Sequence, residues 1–201
     1  MKKEKISYKL QSCQREVCAV KKHKIICIGG PSGVGKDTIV TAFLKQNPEY
    51  IRVPRSTTRP PRHDEKNGVH YYFLTRQEFE EKTLSGDIVA RDAFCGESYG
   101  IDIMNIRRAA QKGNGIIGVF GICSVELRAL LEEEISLVYV IAPLEVLEKR
   151  LIERGDSPEN IRLRLDAAKK QLVKEPHQFD YLLCNMGDIQ VTLSELRRFF
   201  E

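Results

Sequence analysis

The segment Gly30-Pro31-Ser32-Gly33-Val34-Gly35-Lys36-Asp37-Thr38 has residue types and spacing suited to holding phosphate. Its first seven positions fit GxxxxGK[ST]. In such a loop, glycines let successive backbone N–H groups converge on phosphate oxygens, and the helix that follows adds positive potential. Lys36 is spaced to reach the β and γ phosphates of a nucleoside triphosphate. The eighth position is Asp37 where serine or threonine is expected, and Thr38 follows. These two residues are the candidates for contacting a magnesium ion, and the aspartate brings negative charge close to the phosphates.

A second cluster follows. Arg52, Arg55, Arg59 and Arg62 fall within eleven residues, and Arg59 and Arg62 lie in the proline-stiffened run TTRPPR. Guanidinium forks grip phosphate bidentately, so a stiff loop presenting two of them is a reasonable second phosphate site; a solvated basic loop is the plainer alternative.

Short apolar runs alternate with amphipathic stretches along the chain, the pattern of an α/β fold with a mostly parallel sheet. Lys24–Gly29 reads as a buried strand leading into the glycine-rich loop, and Lys36 to about Gln46 as the helix after it, stopping before Pro48. A short strand after Tyr50 gives way to STTRPPR, where prolines exclude regular helix. Residues 69–74 read as a strand, and Thr75-Arg76-Gln77-Glu78 has capping-box spacing for a helix ended by Gly86. Residues 88–94 and 98–101 form short strands of a small antiparallel lobe, followed by a helix over about 102–112. Residues 116–120 and 137–142 return to the central sheet. Pro143 opens a helix ending near Gly155, Ser157-Pro158 opens another, 181–184 is the last strand, and 189–200 is a closing helix.

The chain has 201 residues, 42% hydrophobic and 30% charged, with a formal net charge of +4. That composition suits one globular domain with a sizeable core, and it excludes disordered and fibrous classes. No apolar run reaches the roughly 20 residues of a membrane span. The first 22 residues are basic but lack the apolar stretch of a signal peptide, so they read as a tail. Local concentration of arginine favours a small anionic ligand over nucleic acid. Six cysteines make no CxxC pair, and Cys27, Cys123 and Cys184 lie in or beside apolar runs that read as core. Reduced, buried thiols and a cytoplasmic location are expected.

The loop GPSGVGK together with TTRPPR, Glu65, Gly68, Tyr71 and Phe73, and the later segments RGDSPENIRLRL and FDYLLCN, resembles the guanylate kinase family from about Lys24 onward. The resemblance implies a three-layer P-loop NTPase fold, with an acceptor-binding lobe over about 55–104 and a helical lid over about 150–164. It implies ATP as phosphoryl donor, Mg2+ as cofactor, and GMP as acceptor. Arg59, Arg62, Tyr71 and Tyr99 match residues holding the acceptor phosphate, and Glu65 a nearby acidic residue. Arg150, Arg154 and Arg164 match lid arginines that neutralise the transferring group. Residues 150 and 154, one helical turn apart, face the same way.

The match weakens where that family reads guanine. Arg55 replaces a serine ahead of TTR, Ala90 a glutamate, Ile101 a serine, and Val119 and Gly121 a pair of acidic residues. Asp92, two residues beyond the glutamate's place, substitutes for it only if the strand shifts register. The GKDT sequence resembles ribose 1,5-bisphosphate phosphokinases of the same superfamily. A sugar-phosphate acceptor and a non-catalytic interaction module are thus the rival expectations.

Overall fold

The computed structural model describes residues 25–94, 96–111, 116–119, 127–128 and 135–199. The basic N-terminal segment lies outside them, as do Cys13, Cys18, Cys95, Cys123 and Gly121.

Five strands make a parallel sheet in the order β2-β7-β1-β8-β9: β1 (Ile25–Gly29), β2 (Ile51–Val53), β7 (Ile116–Val119), β8 (Ile135–Ile141) and β9 (Tyr181–Cys184). β1 lies at the centre, with Ile25 opposite both Ile116 and Ile135. All five of its residues are buried, as expected where helices cover both faces of a parallel sheet. Alternate side chains of β1 feed two cores. Ile26 and Ile28 join Val138 and Val140, the α1 (Lys36–Gln46) residues Ile39, Val40 and Phe43, and the α6 (Ile189–Arg198) residues Leu193 and Leu196. Ile25 and Cys27 face the other way, with Leu137 and with Ile106 of α3 (Ile103–Gln111). Helix, sheet and helix form the three layers.

After β2, Pro54 interrupts the backbone donors and the chain passes into a second sheet ordered β4-β3-β6-β5. Its strands are β3 (Arg55–Thr57), β4 (Tyr71–Phe73), β5 (Ile88–Phe94) and β6 (Glu97–Asp102). β3 runs parallel to β4 and antiparallel to β6, which runs antiparallel to β5. The β5–β6 ladder shifts register between Val89 and Asp92, and Ala90 there takes φ +48° in the left-handed region. That bulge re-aims the residues beyond it. Gly100 is needed beside it, because a Cβ would lie 2.3 Å from Ile88 Cγ2.

α2 (Arg76–Leu84) starts with the expected capping box: Glu78 N–H donates to Thr75 Oγ1 at 3.2 Å, and Thr75 N–H donates to Glu78 Oε2 at 2.7 Å. Pro143 caps α4 (Leu144–Glu153), and Ser157 with Pro158 opens α5 (Pro158–Lys174).

Three expectations need correction. Ser56 and Thr57 belong to β3, so the irregular arginine loop begins only at Thr58. The prolines that break the pattern come later and leave these donors free for the ladder. Ser98–Ile101 is longer, extending to Glu97 and Asp102. Cys184 is exposed rather than core, because β9 is an edge strand in which Leu183 points inward while its neighbours Leu182 and Cys184 point out.

Thr75→Ala removes one half of the capping box. It should cost about 1 kcal/mol, which corresponds to a fall in Tm of about 2–4 °C in a chain of this size by calorimetry.

Candidate active site

The phosphate loop leaves β1 and enters α1 through two glycines that the geometry requires. Gly30 has φ +133°, and a Cβ on it would sit 2.4 Å from the Val140 carbonyl oxygen of neighbouring β8. Gly35 has φ +93° and caps α1, and a Cβ there would meet Asn185 Nδ2 at 2.7 Å. Any side chain at either place would push the loop out of its curl.

The loop is gripped from outside at one atom. Asn185 Nδ2 donates to the Val34 carbonyl at 2.7 Å, and Arg150 Nη1 donates to the same oxygen at 3.1 Å. Arg150 Nη2 also donates to the Asn185 carbonyl at 3.3 Å. Lys36 folds back along its own loop, with Nζ donating to the Gly30 carbonyl at 2.6 Å and the Pro31 carbonyl at 3.0 Å. Burial pulls the Lys36 pKa down to about 8, although the Asp37 charge beside it opposes the shift. An incoming phosphate would supply the missing counter-charge.

Asp37 and Thr38 are exposed in the first turn of α1, on the wall of the same cavity. Asp37 is held by Arg52 of β2, whose Nη1 donates to Oδ1 at 3.1 Å while Nη2 donates to Thr41 Oγ1 at 3.0 Å. Arg52 therefore offsets the negative charge that Asp37 brings to the loop. Carboxylate and hydroxyl oxygens are the hard donors magnesium prefers. Among the described residues no group of three or more His, Cys, Asp and Glu side chains could hold a metal alone. One or two protein oxygens fit an ion carried mainly by nucleotide phosphates.

Across a cavity of about 630 Å3, the second sheet supplies the facing wall. Arg59 Nη2 reaches both oxygens of Glu65 at 2.8 Å, and the Arg62 N–H donates to Glu65 Oε2 at 2.8 Å. Burial alone would raise the Glu65 pKa, but these donors outweigh it and hold the carboxyl below its usual range. Arg59 also lies over the Tyr71 and Phe73 rings, 5.6 and 5.8 Å from their centroids. Tyr71 and Tyr99 meet edge to face at 6.3 Å, and burial pushes the Tyr71 hydroxyl up to about 12, so it stays a neutral donor. Arg62 is pulled the other way: burial, then the like charges of Arg59 and Arg154, lower its pKa. Cations crowd here enough to favour an anion between them.

The remaining arginines divide. Arg150 is committed to the loop through Val34 and Asn185. Arg154 and Arg164 converge on Asp156: Arg154 Nε donates to Oδ1 at 2.9 Å, and Arg164 Nε lies 3.0 Å from Oδ2. The Arg154 hydrogen bond, with the charges of both arginines, holds the Asp156 carboxyl below the usual range. Arg164 also donates to Ser32 Oγ of the phosphate loop at 3.0 Å and lies 5.2 Å over the Phe94 ring. It thereby touches loop, turn and second sheet together.

The cavity brings together Gly30, Ser32, Gly33, Gly35, Lys36, Asp37, Thr38, Arg59, Arg62, Tyr71, Tyr99, Arg150 and Arg154. Pro31 and Val34 are buried beneath it, and Glu65 and Arg164 act from behind its walls. Sequence reading passed over three residues that organise it. Asn185 stood inside FDYLLCN without a role, Asp156 inside RGDSPEN, and Glu97, which accepts from Thr58 Oγ1 at 2.6 Å, beside SYG. Asn185 and Glu97 gain their partners only through three-dimensional proximity, whereas Asp156 also takes one from Arg154 two positions away.

A glycine-rich loop between a central strand and a helix, facing an arginine-lined wall, defines a P-loop phosphate-binding fold. The family model described as guanylate kinase matches residues 22–201. A guanylate kinase from a Nostoc species is 34% identical, the alignment covering 86% of this chain and 87% of that one. One from Desulfitobacterium hafniense is 31% identical, covering 86% of each. The crystal structure of guanylate kinase from Anaplasma phagocytophilum has the same fold, with a TM-score of 0.70 at 22% identity over 89% of this chain and 85% of that one. This chain belongs to the guanylate kinase family. Among the described residues no helix is long and apolar enough to cross a membrane.

Binding of a phosphate needs the Lys36 ammonium, so above its pKa of about 8 binding must draw a proton from the buffer. Calorimetry of MgATP binding near pH ~9 should give an enthalpy that changes with buffer ionisation heat, and the dependence should fade by about pH 7.

Proposed function

We propose that this chain transfers the γ-phosphoryl group of ATP to GMP, forming ADP and GDP. The observation that carries this is a single cavity joining the Lys36 loop to the Arg59, Arg62, Tyr71 and Tyr99 wall. Membership of the guanylate kinase family supplies the donor, the metal and the purine nucleotide acceptor. It favours a nucleotide over a sugar phosphate. An intact loop with its lysine favours catalysis over a silent interaction module.

In this reading the loop amides and Lys36 hold the β and γ phosphates. Lys36 gives up its carbonyl partners at Gly30 and Pro31 for phosphate oxygens. Arg59, Arg62, Tyr71 and Tyr99 hold the GMP phosphate, with Glu65 fixing the two arginines. An oxygen of that phosphate attacks the γ phosphorus in line, the bond to the β-bridging oxygen breaks, and ADP leaves. Arg150, Arg154 and Arg164 neutralise charge on the transferring group. Asp37 or Thr38 would hold a magnesium ion arriving with the nucleotide, which would withdraw charge from the phosphate oxygens. Residues of about 55–104 serve as the acceptor lobe and about 150–164 as the lid, whose closure excludes water.

Coupled ADP release with MgATP should show saturable turnover with GMP and little with AMP, CMP or UMP. Turnover with no monophosphate despite ATP binding would sink the proposal. Arg59→Ala, which removes charged hydrogen bonds to the acceptor phosphate, should raise the GMP KM about 10- to 100-fold. Asp37→Ser tests the metal assignment: if Thr38 carries the ion, MgATP affinity is unchanged, and a collapse of activity assigns the ion to Asp37.

A further inference from the structure

The acceptor wall contains a cation and a carboxylate that phosphate binding does not use. Arg55 occupies the first position of β3 and is 8% exposed, yet it lines the cavity. Its guanidinium lies 5.3 Å over the Tyr99 ring, and Nη2 donates to Asp92 Oδ1 at 2.8 Å. Arg55 Nε is buried without a hydrogen-bond partner. The Arg55 guanidinium thus combines a single side-chain hydrogen bond, to Asp92, with a place on the cavity wall, which Asp92 shares. Asp92 reaches Arg55 because of the β5 bulge: the register shift after Val89 sets Asp92 opposite Tyr99.

Building on the reading of the acceptor as GMP, we propose that Arg55 and Asp92 together read its guanine base. A guanidinium N–H beside two carboxylate oxygens presents donor, acceptor, acceptor in a row. The Watson–Crick edge of guanine presents the complement: O6 accepts, N1–H donates and the 2-amino group donates. The Arg55 Nη2 hydrogen not given to Asp92 points to O6, Asp92 Oδ1 takes N1–H, and Oδ2 takes the 2-amino group. The existing 2.8 Å contact holds donor and first acceptor side by side, as neighbouring positions on a base edge require. Tyr99 under the guanidinium keeps that row in one plane. Adenine fails at the first two positions, since its 6-amino group would face the Arg55 donor and its bare N1 would face a carboxylate. A site built from paired polar groups rejects such a ligand because its own groups are left unpaired.

The test measures kcat and KM for GMP, IMP and AMP with wild type and with Asp92→Asn, alongside ATP affinity and Tm. IMP lacks only the 2-amino group, so wild type should use it about 10- to 100-fold less efficiently than GMP. Asp92→Asn keeps size but turns one acceptor into a donor. It should lower kcat/KM for GMP about 100-fold, mainly through KM, and bring GMP and IMP within about threefold of each other, with ATP affinity unchanged. If the pair only braces β3 against β5, the variant loses Tm and all acceptors suffer alike, which overturns the proposal. Should the variant fail to fold, wild type decides: equal use of GMP and IMP overturns it, and a marked preference for GMP supports it. GMP turnover with an unchanged GMP to IMP ratio in Asp92→Asn defeats the base-reading assignment while leaving the kinase reading intact. Absence of GMP turnover in wild type defeats both.

Discussion

Cations crowded around one cavity repel each other, and the architecture of this site follows from that constraint. Six basic side chains, Lys36, Arg55, Arg59, Arg62, Arg150 and Arg154, line it against three carboxylates. Left to itself such a wall would splay its arginines into solvent, where each keeps its freedom and hydration. The fold prevents this by giving most of them a fixed anchor. Glu65 holds Arg59 and the backbone of Arg62, Asp156 holds Arg154 and Arg164, Asp92 holds Arg55, and the Val34 and Asn185 carbonyls hold Arg150. The anchored Arg55, Arg59, Arg150 and Arg154 still line the cavity. Ordering of the side chains therefore precedes ligand binding, and less of that entropy has to be lost when phosphate arrives.

The parts of this design that lie along the chain were legible in the sequence. A buried apolar strand, a glycine-rich turn and a helix form one local unit, and the capping residues Thr75, Glu78, Ser157 and Pro158 act on neighbours a few positions away. The alternation of strand and helix sufficed for an α/β fold with a mostly parallel sheet, because a parallel strand buried on both faces leaves an unbroken apolar run such as Ile25–Ile28. Arg59 and Arg62 stood out because they flank the stiff pair Pro60-Pro61.

What the sequence hid depends on partners distant in the chain. Asn185 looks like the polar end of an apolar strand, and its role as a clamp on Val34 appears only when β9 and the phosphate loop meet across 151 positions. Asp156 is the local exception: it looks like an ordinary turn residue, yet Arg154 two positions before it and Arg164 eight after it both close on it. Cys184 followed an apolar run, but burial at a sheet edge is decided by which face the residue takes, and an edge strand has only one neighbour. The bulge at Ala90 is the subtlest case, since a non-glycine residue at positive φ has no local signature. It persists because Asp92 is drawn to Arg55 and because Gly100 leaves room for Ile88.

The segment from Arg52 to Arg55 joins the two halves of the site mechanically. Arg52, in the middle of β2, holds Asp37 and Thr41 of α1 beside the glycine-rich loop. Three residues later Arg55 opens the second sheet by holding Asp92 in the acceptor wall. Pro54 between them fixes one backbone angle and removes one donor, so the chain changes sheets over a stretch with little freedom to bend. Asp37, held through Arg52, and the Arg55–Asp92 contact thus sit at two ends of one short connector. Arg52 makes the substituted carboxylate at Asp37 tolerable by pairing with it.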